Sequence, residues 1–133
     1  MNDLSLDDLL NYYRNKVKEL ATDFTIQEKK AIELGLYDYY TEDIANDWTP
    51  DDYAGLYILQ KNGLISSLAI ELYKEIDKNF ELASIGGPKY SPIIWTLEGM
   101  EKNVFWIEQR KLASLLLTEL LNSKSIHKQY IKS

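Results

Sequence analysis

The side chains of this sequence that could do chemistry are mainly carboxylates, and they are concentrated in one stretch. Residues 31–60 contain seven acidic residues, no lysine or arginine, and six tyrosine or tryptophan residues. The acids are Glu33, Asp38, Glu42, Asp43, Asp47, Asp51 and Asp52. Carboxylates pair with arginine and lysine, and aromatic side chains supply large, rigid contact area. The stretch is therefore typical of a surface that meets a positively charged partner.

Patterns for catalysis or metal binding are missing from the sequence. The chain has no cysteine and a single histidine, His127, so a Ser–His–Asp site would have to use that residue. The segment IGGPKYS, residues 85–91, lacks the spacing and the Lys-Ser/Thr ending of a P-loop. Neither a calcium loop nor a Glu-x-x-His pair occurs. We expect a protein that is not an enzyme and that uses no cofactor or metal.

The charge is distributed unevenly along the chain. Residues 1–60 hold 13 acidic and 5 basic residues, a net charge of −8, whereas residues 61–133 hold 8 and 10, a net charge of +2. An acidic half argues against a nucleic-acid partner, because a phosphate backbone needs a basic surface. It favours fast, salt-sensitive association with a basic protein. The alternative is that the acids only keep the protein soluble.

The sequence predicts a soluble, cytoplasmic protein with no membrane partner. Its start, MNDLSLDDLL, is acidic and lacks the basic and apolar parts of a secretory signal. The most apolar stretch, Leu112 to Leu121, has about half the roughly 20 residues that a membrane helix needs. The absence of cysteine fits a reducing compartment. We expect a monomer or weak dimer.

The N-terminal half predicts two helices. Ser5 followed by Asp8 is a variant of the capping box, and apolar residues then recur at helical spacing from Leu6 to Leu20. The segment TIQE, Thr25 to Glu28, is a full capping box that should start a second helix. That helix is expected to run through Leu36 and Tyr40 to Ile44, although Gly35 weakens it. On such a helix Asp38 and Glu42 would share one side.

The middle of the chain predicts two further helices and a loop. Thr49 and Pro50 suit the start of a helix, and Lys61 to Gly63 suit its end. Residues 64–79 predict a helix with four apolar residues on one face. They are Leu64, Leu68, Leu72 and Ile76. Residues 83–92, rich in glycine and proline, are the clearest loop.

The C-terminal part predicts the centre of the fold. Residues 93–99 fit either a helix or a strand, because they form a short apolar, β-branched run. Residues 103–122 predict a helix that is apolar over much of its circumference and hence central. We expect an all-α, single-domain bundle of five or six helices around this helix. Residues 1–122 form the domain, and residues 123–133 form a basic, frayed tail.

The candidate partner-binding residues all come from the acidic stretch. They are Glu33, Asp38, Tyr39, Glu42, Asp43, Asp47, Trp48, Asp51 and Asp52. The alternative is that the tyrosines of this stretch lie half-buried at the edge of the core.

A small, acidic, cysteine-free chain without a catalytic constellation resembles the immunity proteins of bacterial toxin systems, including contact-dependent growth inhibition. The resemblance is one of class and composition. It implies a non-catalytic protein that neutralises a basic partner by blocking a cognate toxin domain, often a nuclease. Two alternatives are a nucleic-acid mimic that inhibits a DNA-binding protein and a helical scaffold that binds a ligand between its helices.

Overall fold

The computed structural model describes the backbone of residues 5–132 and the side chains of residues 5–122, and this part of the chain forms one all-α bundle. Seven α-helices follow one another along the chain. They are α1 (Leu6–Ala21), α2 (Phe24–Glu33), α3 (Tyr40–Asn46), α4 (Tyr53–Lys61), α5 (Ser67–Ala83), α6 (Leu97–Lys102) and α7 (Val104–Lys132). Two 3₁₀ turns, Pro50–Asp52 and Pro92–Trp95, precede α4 and α6. Five helices have nine or more residues, so the predicted bundle is confirmed.

Helix α7 lies at the centre, where it contacts α1, α5 and α6. Its inward side chains include Trp106, Ala113, Leu116 and Leu120, all buried. The predicted central helix therefore exists, although its opposite side is exposed at Val104. Residue 133 and the side chains of residues 123–132 lie outside the described residues, so the frayed tail stays a prediction.

The first helix begins as expected. The Ser5 hydroxyl accepts a hydrogen bond from the Asp8 amide at 3.0 Å, and one face of α1 is buried.

Among the described residues, no helix has the length and apolar character required to cross a bilayer.

The prediction of one long second helix is wrong. Helix α2 begins at Phe24, one residue before the predicted capping residue Thr25, with Asp23 at its N-terminal cap. It ends at Glu33 because Gly35 adopts a φ of 70° and the Leu36 amide donates to the Ala31 carbonyl at 2.8 Å, which closes a helix-ending turn. Asp38 therefore lies in a loop, whereas Glu42 lies in helix α3. The two acids were predicted to share one side of a single helix, and they do not lie on one helix.

Helices α4 and α5 lie near their predicted positions. Helix α4 ends at Lys61, and Gly63 has a φ of 77°. Helix α5 begins later than predicted because Ser66 is its cap, and it extends to Ala83. Its buried face is set by Tyr73, Ile76 and Phe80, whereas Leu68 is 50% exposed.

The ambiguous residues 93–99 are a 3₁₀ turn followed by the start of α6. The Trp106 indole donates to the Ile94 carbonyl at 2.6 Å, and the Thr96 hydroxyl accepts from the Gly99 amide at 2.9 Å. These two hydrogen bonds stabilise the turn and the helix start, so the segment is helical and not a strand. Trp106 is fully buried, and Trp95 is half-buried.

Candidate functional site

The acidic stretch is organised around helix α3. This helix buries Tyr40, Thr41 and Ile44, which leaves Glu42 and Asp43 exposed on its outer side. The Thr41 hydroxyl donates to the Trp95 carbonyl at 2.8 Å and so fixes the helix against the turn before α6. The short helix is thus held by one polar and two apolar side chains while its acids face solvent.

The exposed carboxylates from Asp38 to Asp51 form what we call the acidic segment. Its members are Asp38, Glu42, Asp43, Asp47 and Asp51. None of them forms an ion pair with a basic side chain in the part of the chain that the structure describes. Tyr39 accompanies them and is 65% exposed, so it is not half-buried at the core edge. Glu33 is also exposed but lies at the end of α2, beyond the turn at Gly35.

Asp47 shows that the acids influence one another. Desolvation raises the pKa of the Asp47 carboxyl, and the neighbouring Asp43 raises it further, whereas Lys16 lowers it. Asp43 and Asp47 are four residues apart across the end of α3, which brings their side chains to the same side. The acids around Asp47 thus outweigh the opposing effect of Lys16 on its carboxyl.

Asp52 differs from the other acids because it is paired. Its carboxylate forms an ion pair with Lys16, whose side chain is only 6% exposed, and accepts a hydrogen bond from the Tyr73 hydroxyl at 3.0 Å. The Lys16 ammonium also donates to the Asp47 carbonyl and to Tyr73. The charge of Asp52 is therefore paired inside the protein, and its role in partner binding stays a prediction.

Trp48 lies inside the protein, and its role in partner binding stays a prediction. Its side chain is 4% exposed and packs against Tyr73 and Phe80, with ring centroids 4.5 Å and 6.3 Å apart. An indole this buried belongs to the core, so Trp48 is not an exposed contact residue. Its remaining surface forms part of the wall of a cleft.

That cleft, which we call the aromatic cleft, lies next to the acidic segment. It has a volume of about 550 Å³ and separates α3 and the Pro50 turn from the end of α5 and the loop after it. Its wall combines acids and aromatic rings, including Glu42, Trp48, Asp77, Glu81, Tyr90 and Trp95. Among the described residues that line it there is no lysine, arginine or histidine. The cleft can therefore accept a positively charged group.

Asp77 is the buried carboxylate of this cleft. It is 8% exposed, and its Oδ2 atom accepts a hydrogen bond from the Tyr53 hydroxyl at 2.5 Å. Burial, and next the hydrogen bond to Asp77, raise the pKa of Tyr53 above its usual range, so the phenol stays a donor. No basic side chain forms an ion pair with Asp77 in the described chain.

Helices α1 and α5 bring residues to this region that were not among the candidates predicted from the sequence. Lys16 lies 36 residues before its partner Asp52, so nothing local indicates the pair. Asp77 did leave a signal, because it interrupts the apolar stripe of α5 between Ile76 and Phe80. An acid within a buried stripe indicates either a structural hydrogen bond or a functional group.

The described residues contain no group of three or more histidine, aspartate or glutamate side chains placed to hold a metal ion. His127 lies outside the described side chains, so its role stays a prediction.

Comparisons with protein-family models, with curated proteins and with solved structures find no match to this chain.

Proposed function

We propose that the protein is a non-catalytic binding protein that neutralises a basic protein partner through the acidic segment. One observation carries the proposal. Five carboxylates lie exposed within residues 38–51 without an ion pair to a described basic side chain. Exposed carboxylates without a counter-ion give a negative surface that a basic partner can neutralise.

The specific form of the proposal is an immunity protein whose partner is a cognate toxin domain, with a nuclease as the best fit. A nuclease must hold a phosphate backbone in a basic groove, and an acidic surface complements such a groove. In this proposal the protein acts in the cytoplasm as a monomer or weak dimer. It needs no cofactor, metal, membrane or nucleic acid for that role.

A nucleic-acid mimic fits the geometry less well. Such a mimic should space its carboxylates like phosphates along an extended surface. The acidic segment instead occupies a loop, one seven-residue helix and a 3₁₀ turn. A ligand-binding domain is the second candidate, and the aromatic cleft is the observation that favours it, because its volume is typical of small-ligand sites.

The experiment compares two quadruple variants of equal charge. The first, which we call the rim variant, replaces four of the five carboxylates of the acidic segment (D38N, E42Q, D43N, D47N). The control replaces four exposed acids elsewhere (E71Q, E75Q, E101Q, E108Q). Basic proteins captured from host lysate by the parent protein are identified by mass spectrometry. Each is then purified and its Kd for the three proteins is measured, together with inhibition of its nuclease activity.

We expect the rim variant to bind at least tenfold more weakly, or about 1.4 kcal/mol, with an unchanged helical spectrum. The control variant should bind within about threefold of the parent. Equal weakening by both variants would show that only net charge matters. Parent-like affinity of the rim variant would mean that the acidic segment is a solvated surface.

A further inference from the structure

The aromatic cleft has the features of a receptor for one cationic side chain. We propose that it binds an arginine or lysine side chain presented by a peptide segment of the basic partner. This inference rests on the proposed function, and it assigns the cleft a further task beside that of the acidic segment, with which the cleft shares Glu42. The acidic segment attracts the partner, whereas the cleft holds one of its side chains.

Asp77 has hydrogen-bond acceptor capacity that the protein itself does not use. Its Oδ2 atom accepts from Tyr53, while its Oδ1 atom has no hydrogen-bond donor among the residues that the structure describes. A carboxylate can accept about four hydrogen bonds. Buried charges in proteins are usually paired, because an uncompensated buried charge is costly. An entering guanidinium or ammonium group would supply the missing counter-ion.

The aromatic side chains of the cleft also favour a cation. Trp95 lines the cleft, and its indole N–H donates to the Ala83 carbonyl at 3.0 Å, which fixes the orientation of the ring. Tyr90 lines the same cleft from the loop after α5 and is 39% exposed. Aromatic faces attract cations, most strongly at tryptophan. A fixed ring and a buried carboxylate in the wall of one cleft are well suited to a flat guanidinium.

The Trp48 indole and the size of the cleft favour a peptide over a free amine. Trp48 is 4% exposed and lines the cleft, yet its indole N–H has no acceptor within the described structure. A free amine or guanidine can pair with Asp77 but offers no acceptor for this N–H. A peptide also carries backbone carbonyls. The volume of about 550 Å³ exceeds what one side chain fills, which leaves space for the adjoining backbone.

The test uses NMR with a defined probe. The parent protein, labelled with ¹⁵N, is titrated with the peptide Ac-Gly-Arg-Gly-NH₂, with its neutral citrulline analogue, and with methylguanidinium. The three tryptophans give three indole signals. Trp48 and Trp95 line the cleft, whereas Trp106 donates to the Ile94 carbonyl and serves as an internal control.

Two variants and a control locate the binding site. D77N preserves an acceptor for Tyr53 but removes the buried charge. E81Q removes an exposed acid of the same cleft and leaves the buried hydrogen bond between Tyr53 and Asp77 in place. E75Q removes an exposed acid of α5 that does not line the cleft.

We expect the arginine peptide to shift the Trp48 and Trp95 signals and leave that of Trp106 unchanged. The citrulline peptide and methylguanidinium should each bind at least tenfold more weakly. D77N should weaken binding of the arginine peptide at least tenfold, E81Q about threefold, and E75Q not measurably. Equal binding of arginine and citrulline peptides would overturn the proposal, as would unchanged binding by D77N and E81Q. Methylguanidinium binding as tightly as the peptide would overturn the assignment to a peptide segment.

The two proposals can fail separately. If the rim variant keeps full affinity for a basic partner while the arginine peptide still binds the cleft, the role of the acidic segment is wrong and the cleft assignment stands. If the rim variant loses affinity but the cleft ignores the peptide, the reverse holds.

Discussion

Lys16 and Asp52 form an ion pair inside the protein, with 6% of the lysine side chain and 20% of the aspartate side chain exposed. The pair joins α1 to the turn before α4, and the Tyr73 hydroxyl of α5 contacts both partners. The Lys16 ammonium also lies 5.9 Å from the centre of the Trp48 ring. Helices α1 and α5, the turn before α4 and the backbone of Asp47 thus meet at one cation.

Removal of one partner of this pair should destabilise the fold strongly. D52N leaves Lys16 buried without its counter-ion, and breaking a buried pair in this way typically costs about 3 kcal/mol or more. We expect a loss of about 2–3 kcal/mol in the free energy of unfolding, since Asp52 is partly exposed. Urea denaturation followed by circular dichroism measures it.

The exposed pair of Lys30 and Glu19 provides the matched control, because 49% of the Lys30 side chain is exposed. K30M should change the free energy of unfolding by less than about 1 kcal/mol. The double variant K16M/D52N should be less destabilised than the sum of its single variants, since neither charge is then left alone. Additive effects would mean that the two side chains act independently.

Gly99 of α6 should not tolerate alanine. In a helix this substitution ordinarily stabilises by about 1 kcal/mol. Here a Cβ atom would lie 1.8 Å from the Ile93 carbonyl oxygen, so the backbone of the Pro92–Trp95 turn would have to move. We expect G99A to lower the free energy of unfolding by about 2 kcal/mol or more. N11A, at an exposed position of α1, should be neutral or slightly stabilising. A stabilised G99A variant would contradict the close approach.

Local signals in the sequence predicted the elements well, and tertiary contacts explain where they did not. The Ser5 cap and the helix end at Gly63 depend on neighbouring residues and were found. The helix start predicted at Thr25 was wrong by one residue, because Asp23 is the cap of α2. Within the predicted capping box, the buried Gln27 amide instead donates to the Glu19 and Leu20 carbonyls at the end of α1. This contact of Gln27 joins two helices, and the spacing of residues in the sequence cannot predict it.

The same limit applies to the candidate site. Composition identified the acidic segment, because an excess of acids is visible without a structure. It could not show that Asp52 is paired with Lys16, or that Trp48 faces Tyr73, since both contacts bridge distant parts of the chain. The aromatic cleft depends on α3, α5 and the turn before α6 meeting, so it was not predictable from any one of them.

Asp47 should make stability depend on pH with an unusual sign for an aspartate. Because desolvation and nearby acids raise the pKa of its carboxyl, the folded protein binds this proton more tightly than the unfolded chain does. The contribution of Asp47 to the free energy of unfolding therefore falls as pH rises between the unfolded and the higher folded pKa. D47N should be slightly more stable than the parent at pH 7, by a few tenths of a kcal/mol because the site is largely exposed.

The difference in the free energy of unfolding between D47N and the parent should shrink as the pH falls below about 4. There the Asp47 carboxyl becomes neutral in both the folded and the unfolded chain. Thermal unfolding at several pH values measures it, and D51N controls for the general loss of one negative charge. A D47N variant that is less stable than the parent at pH 7 would contradict the electrostatic description of the acidic segment.

The exposed acids of α3 should control how fast a basic partner associates. Glu42 and Asp43 lie on the outer side of the helix and form no ion pair with described residues, so their field extends into solvent. E42K/D43K should lower the association rate constant with a purified basic partner by about tenfold at low salt. It should also flatten the dependence of that rate on salt, while the dissociation rate changes less. Stopped-flow association between about 20 and 500 mM salt measures both effects. E71K/E75K, which reverses two exposed acids of α5, is the matched control. If the two variants slow association equally, the attraction comes from net charge, and helix α3 has no special part in the encounter.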